Sequence, residues 1–323
     1  MPKISILTPT YNRAEFLPKL AESLQKQSFQ DIEWIIGNDG SNDNSDEVIR
    51  SFAEIVQFPI IYINSSHRVG KSKIDNLLID ESKGEYILWC DSDDYFVDDA
   101  LEFLLDEVKK IPESEKKLYT GVLAQNIDTK GKSQTFSHNA IPQKSIHVLY
   151  DSIEKYVKGD GTNLVLSEHL KGKEFLEVDF LITESSLLEK VFHNKKVIIS
   201  PKIVKIMNRT AENSISFGKK LSYCRGSAYA ISEMINKEKY RSLPKVSKIK
   251  LILNYFRYSI HGSISLNKAQ NLWPVLKDNK FLLIFYPFSV LLCLRDTLLG
   301  KVEKTHIEFD HNVAIAKVTK ESL

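Results

Sequence analysis

The sequence predicts an α/β protein: a doubly wound, mostly parallel sheet flanked by helices, followed by a helical C-terminal extension. Three observations lead there. Over residues 3 to 92, short runs rich in Ile, Val, Trp and Tyr alternate with longer stretches of helical periodicity. The connections between them are short, as helices crossing back over both faces of a parallel sheet require. Each run after which a sharp turn is expected ends in polar residues, many of them acidic.

Taken in order, Lys3 to Thr8, Ile32 to Asn38, Pro59 to Asn64 and Glu85 to Asp91 read as strands. The helices between them cover Glu15 to Gln27, Ser45 to Ile55 and Lys71 to Glu81. Asp98 is placed to cap a further helix running to Lys110. Tyr119 to Asn126 and Ser133 to Phe136 flank Asp128-Thr129-Lys130-Gly131, a hairpin turn that adds an antiparallel part to the sheet. From Ser145 onward the chain reads as mostly helical, interrupted by a strand over Lys196 to Met207. Residues 1–215 are expected to form one domain, divided near residue 110, and residues 216–323 a helical, basic region.

The composition is that of a globular protein, with 42% hydrophobic and 27% charged residues among 323. Three cysteines without a CxxC pair suggest neither a disulfide framework nor a zinc site. The first residues run directly into a strand, so no signal peptide and a cytoplasmic location are expected. A net charge of +2 hides a split: residues 1 to 110 sum to about −10 and residues 195 to 260 to about +12. The basic part reads as a solvated helical surface or as one drawn to an anionic membrane or phosphate-bearing acceptor; no nucleic-acid partner is expected. Phe281 to Leu294 is strongly apolar, but its fourteen residues fall short of the roughly 20 that span a bilayer. It reads either as a buried packing segment or as an interfacial anchor flanked by Lys280, Arg295, Lys301 and Lys304.

A parallel sheet binds its ligands at the carboxyl ends of the strands. The first rim is Pro9-Thr10-Tyr11-Asn12-Arg13, the second Asn38-Asp39-Gly40-Ser41, and the fourth Asp91-Ser92-Asp93-Asp94. Carboxylates crowded on one tight loop suit a hard cation, Mg²⁺ or Mn²⁺, because like charges close together resist joint ionisation without one. A solvated acidic turn is the plainer alternative for Asp91, Asp93 and Asp94. Asp39 reads as an acceptor for a base or ribose, or as an Asx turn; Tyr11 as an apolar face, or as sheet packing. Gly70 and Lys71 begin a helix whose free N–H groups suit an anion, with Asn76 further along it.

PTYNR at 9–13, NDGSND at 38–43, the Asn64, Gly70 and Asn76 spacing and GEYILWCDSDD at 84–94 together resemble glycosyltransferase family 2. The resemblance implies a GT-A fold and an inverting transfer from a nucleotide-diphosphate sugar, UDP-linked by expectation. It makes Pro9, Thr10, Tyr11, Asn12, Arg13, Asp39, Gly40, Ser41, Gly70, Lys71, Asn76, Asp91 and Ser92 the donor-binding residues. Asp93, Asp91 and Asp94, in that order, are the metal ligands. The general base should come from the second half, where Glu184 fits the family's phenylalanine-to-glutamate spacing and Asp179 stands in reserve; Arg209 suits a lid over the diphosphate. The acceptor is expected to be a glycan or lipid-linked glycan for the cell surface, reached from the inner membrane face. Transfer to a polyprenyl phosphate stays open, whereas intact Asp91 and Asp93 argue against a non-catalytic binding protein. The missing GxGxxG argues against a dehydrogenase.

Overall fold

The computed structural model describes residues 1–137, 141–177, 185–208, 224–235, 240, 243–272, 280–301 and 315–319. Packing divides the chain into two compact units. The first comprises residues 1–175, 187–211 and 310–323, the second 176–186 and 212–309.

The first unit is built on a ten-stranded sheet. Strands β1 (Ile4–Thr10), β2 (Ile32–Asn38), β3 (Ile60–Ser65) and β4 (Tyr86–Trp89) alternate with helices α1 (Leu17–Gln25), α2 (Ser45–Ile55) and α3 (Lys71–Glu81). They pair in parallel in the order β3, β2, β1, β4. Alternating side chains explain why both faces are covered. Ile4, Ile6, Trp34, Ile36, Tyr62 and Leu88 point into one apolar layer with Leu20 and Phe52 of α1 and α2. Leu7, Ile35, Ile61, Ile63 and Ile87 point into the other, with Ile74 and Leu78 of α3. The sheet is therefore doubly wound, as expected. Helix α4 (Ala100–Lys109) joins the first layer through Leu101, Leu104 and Leu105.

Beyond β4 the sheet is mixed. The remaining strands are β5 (Tyr95–Phe96), β6 (Tyr119–Asp128), β7 (Ile146–Leu149), β8 (Thr162–Leu166) and β9 (Lys196–Met207). β8 lies antiparallel between β4 and β6, and β9 runs parallel to β6. The turn after β6 closes as expected, with Gly131 at φ 79° and an antiparallel bridge from Ile127 to Ser133.

Three expectations need correction. The stretch from Ser145 is not mostly helical at its start, since β7 and β8 occupy parts of it around a short 3₁₀ turn, Tyr150–Lys155. The region after 216 is not wholly helical either: β10 (Ile315–Thr319) returns to the first unit and pairs antiparallel with β3. None of these three short strands has enough alternation of its own to declare itself; each exists because a partner edge satisfies its backbone groups. Finally, the apolar segment is longer than fourteen residues. A 3₁₀ turn, Lys280–Phe285, continues into a helix, so that Phe281–Leu298 is long and apolar enough by length and composition to cross a membrane.

The second unit is helical over its described residues. Its helices are α6 (Cys224–Ile235), α7 (Lys245–His261), α8 (Leu266–Leu272) and α9 (Tyr286–Leu298). α5 (Ser185–Phe192) belongs to the first unit from Leu187 onward, where Leu187, Leu188 and Phe192 pack in its second apolar layer. Ile231, Ile235, Ile252, Tyr255 and Phe256 form the second unit's own core.

Candidate active site

The carboxyl ends of β1 to β4 carry the polar rims, and hydrogen bonds tie these ends together. Pro9 lies beyond the last β1 residue paired with β4, Leu7, so its missing N–H breaks no ladder bond there. Past it the chain turns at Asn12, with φ of 52°. Asn12 bridges the first two rims: its N–H donates to Ser41 Oγ and its Oδ1 accepts from the Asn42 N–H, both at 2.9 Å. Ser41 is fixed in turn by Asn38, whose Oδ1 accepts from the Ser41 hydroxyl at 2.5 Å and its N–H at 3.1 Å. Thr10 is buried, and its hydroxyl has no hydrogen-bond partner among the described residues.

Asp39 joins the second rim to the third. Its Oδ1 accepts from the N–H groups of Val69 at 2.6 Å and Gly70 at 3.0 Å, and Oδ2 lies 3.6 Å from Arg68 Nε. Burial outweighs these bonds and raises its pKa above the ordinary carboxylate value. The Arg68 guanidinium lies over the Tyr11 ring, 4.0 Å from its centroid. Gly40 permits the approach. Its φ is +67°, and a Cβ there would sit 2.3 Å from the backbone carbon of His67. Gly70, at φ 93°, opens α3 without a side-chain cap.

The acidic loop follows β4. Asp94 N–H donates to the Asp91 carbonyl at 3.0 Å, closing a turn that gathers three carboxylates. Arg13 Nε stands 3.8 Å from Asp93 Oδ2, linking the first rim to the fourth. Burial, then the charges of Asp94 and Asp91, push the Asp93 carboxyl up to about 6 against the pull of Arg13. Asp94 has different surroundings. It is buried, with Oδ2 2.9 Å from Lys205 Nζ of β9 and Oδ1 accepting from the Asn208 N–H at 3.1 Å. Burial works against the charge on Lys205, but Asp94, Cys90 and Asp91 hold it protonated, above the usual lysine range. Asp94 thus anchors the loop to β9 with both oxygens.

Among the described residues no group of three His, Cys, Asp or Glu side chains is arranged to hold a metal ion. Asp91 and Asp93 offer two sets of hard oxygens, a partial shell that suits Mg²⁺ or Mn²⁺ when phosphate oxygens supply the rest. The raised pKa of Asp93 marks a crowding that a cation would relieve.

Two predicted donor residues have other partners. Lys71 Nζ lies 2.9 Å from Asp75 Oδ2, and Asp75 Oδ1 accepts from Trp89 Nε1 at 3.3 Å. Asn76 grips the backbone of Phe175 from both sides, donating to its carbonyl at 3.0 Å and accepting its N–H at 2.7 Å. Ser92 is buried within the acidic loop. Glu184, Asp179 and Arg209 lie outside the described residues. Arg68 and Lys205 were missed by the sequence reading. For Lys205 a signal existed, because a lone charge within Ile203-Val204-Lys205-Ile206 must find a partner if the strand is buried.

Residues 5–150 match the family model described as Glycosyl transferase family 2. The chain is 24% identical over 318 residues to the GalNAc(5)-diNAcBac-PP-undecaprenol beta-1,3-glucosyltransferase of Campylobacter jejuni, covering 97% of this chain and 100% of that one. It is 34% identical over 107 residues to Glycosyltransferase GlyG of Streptococcus pneumoniae, a match covering 33% of this chain and 35% of the relative. Among solved structures, S. aureus TarS 1-349 in complex with UDP-GlcNAc superposes with a TM-score of 0.60 at 15% identity, covering 97% and 98% of the two chains. Fold and rims together define a glycosyltransferase of the GT-A type. The match to glycosyl transferase family 2 spans residues 5–150, the part of the chain that carries the rims.

Proposed function

We propose that this enzyme transfers a sugar from a UDP-linked donor, with inversion, to a hydroxyl of a glycan carried on a polyprenyl diphosphate during cell-surface glycan assembly. The observation that carries the reading is the convergence of Asp39, Arg13 and Asp93 from three strand ends. Asp39 Oδ1 is committed to Val69 and Gly70, which leaves Oδ2 to accept the imide N–H of a uracil. Tyr11 and Arg68 offer planar faces beside it. Arg13 stands by the diphosphate. Asp93, helped by Asp91, holds Mg²⁺ or Mn²⁺, which when bound neutralises charge developing on the leaving phosphate. Asp94, whose carboxylate is engaged by Lys205, would support the loop and leave the ion to Asp93 and Asp91. The lipid-linked acceptor follows the named substrate of the Campylobacter relative. With such an acceptor the enzyme would work at the cytoplasmic face of the membrane. Glu184 is the first choice for the base that takes the acceptor proton, and Asp179 the second.

The test is a titration of UDP-, GDP- and CDP-linked sugars with Mn²⁺, followed by transfer to a polyprenyl-diphosphate glycan. UDP-sugars should bind with metal and transfer should cease in EDTA. Full activity in EDTA, or preference for another base, overturns the corresponding part. Glu184→Gln with near-normal turnover removes Glu184 as base.

A further inference from the structure

Helix α9 and the turn before it meet the second unit unevenly. Leu282, Leu283, Phe285 and Tyr286 pack against that unit's core, whereas further along the helix the inward face is polar: Ser289 and Asp296 are fully buried and Cys293 nearly so. Ser289 Oγ donates to the Leu253 carbonyl of α7 at 3.0 Å, and Cys293 Sγ to that of Arg257 at 3.4 Å. Asp296 accepts from Arg257 and lies 3.2 Å from His261 Nε2. These bonds fix the helix against α7 in one rotation. The opposite face is apolar and exposed. Phe281, Ile284, Phe288, Leu291, Leu294 and Leu298 keep 72, 52, 58, 63, 56 and 86% of their surface accessible, at spacings of three or four residues. A soluble helix normally shows the reverse, and a contiguous apolar row of this length marks an interaction surface.

The charge around that row selects the partner. Residues 241–301 contain ten Lys and Arg against two Asp and no Glu. The exposed start of α7 repeats the pattern, with Val246 and Ile249 exposed beside Lys245 and Lys250. A second copy of this chain would bring the same positive charge to the contact, whereas an anionic lipid surface supplies both apolar depth and opposite charge. We infer that the Phe281–Leu298 face docks into the plane of an anionic bilayer. The helix lies in the interface and does not span it, because its other face is held by the Asp296 ion pairs to α7. Arg295 and Lys301, both exposed, flank the row where phosphate headgroups would meet them. The inference stands on this surface alone, independent of the sugar chemistry, though it would bring the enzyme to a membrane-borne acceptor.

The test uses the full chain with vesicles of phosphatidylcholine, with or without phosphatidylglycerol, in co-sedimentation. Wild type should bind the anionic vesicles, weaken with salt, and be stripped from them by alkaline carbonate. Phe288→Glu with Leu291→Glu should weaken binding about tenfold or more. UDP titration, run in parallel on both proteins, should be unchanged. That arm separates a failure of this surface from a failure of nucleotide recognition, and reports that the variant is folded. Equal vesicle binding by the variant overturns the proposal, as does retention after carbonate, which would mean a spanning helix. A wild-type dimer that the double variant converts to monomer, without vesicle binding, would assign the face to a second copy.

Discussion

Asp39 and Asp93 are carboxylates that burial drives toward the neutral form, and each is held there by loops that a donor would cross-link. A group whose folded pKa exceeds its unfolded value opposes folding once ionised. For Asp39 that opposition is absent below the ordinary value of 3.8 and is fully present once pH passes the raised folded pKa. Asparagine keeps an oxygen for the Val69 and Gly70 N–H groups. Ligand-free Asp39→Asn should therefore melt above wild type at neutral pH, the gap closing as pH falls to 3.8. Its UDP affinity should drop by roughly tenfold. Calorimetry at several pH values, with UDP titration, checks both halves; a variant less stable at neutral pH would show that the carboxylate is not strained. Asp93→Asn should lower metal-dependent turnover on the order of 10²–10⁴-fold, read as kcat at saturating Mn²⁺. Wild-type kcat reached at the wild-type manganese concentration would remove Asp93 as a ligand.

Elements explain what the residues alone do not. The bounds of α2, α3, β2 and β9 were legible because each is a run of one periodicity ended by a turn residue or a change of period. The convergence of the rims was legible from topology, since parallel strands must place successive carboxyl ends side by side. What was hidden are partnerships across long sequence distances. Asn76 was expected to touch the donor, and nothing near it in sequence announces Phe175. Lys205 and Asp94 are likewise 111 residues apart, joined only through β9 lying beside β5. Two predictions belong here. Asn76→Leu deletes both bonds to Phe175 and should cost about 2–4 kcal/mol, with faster amide exchange over residues 173–177 as its local mark. Unchanged exchange there would mean that the clamp is dispensable. Lys205→Met leaves Asp94 buried without its cation and should cost about 3–5 kcal/mol, while Lys205→Met with Asp94→Asn should recover much of it. Denaturant melts of the two singles and the double give the coupling; additive losses would deny that the two act as a pair.

At the scale of the molecule, charge divides between the two units: the rims of the first are acidic, and the second carries the basic, apolar surface. On the proposed reading, the first would bind an anionic donor with metal and the second would meet a lipid surface. The parallel sheet depends on more than its own half of the sequence, because β10 covers the outer edge of β3 and Lys317 of β10 pairs with Glu81. Ending the chain after Lys301 should bare that edge, lower the melting temperature and promote association in sedimentation velocity. A truncated protein as stable and monomeric as the full chain would show that the edge needs no cover.

The pairing of Ser65 with Ile315 joins residues 250 positions apart. During synthesis, the first four strands leave the ribosome long before the strand that covers their edge exists, and the whole basic helical unit is translated in between. Contacts of such separation are slow to close, so the nascent enzyme passes through a stage with an open, apolar sheet edge. That interval, set by chain length and elongation speed, is when a chaperone would be of most use to it.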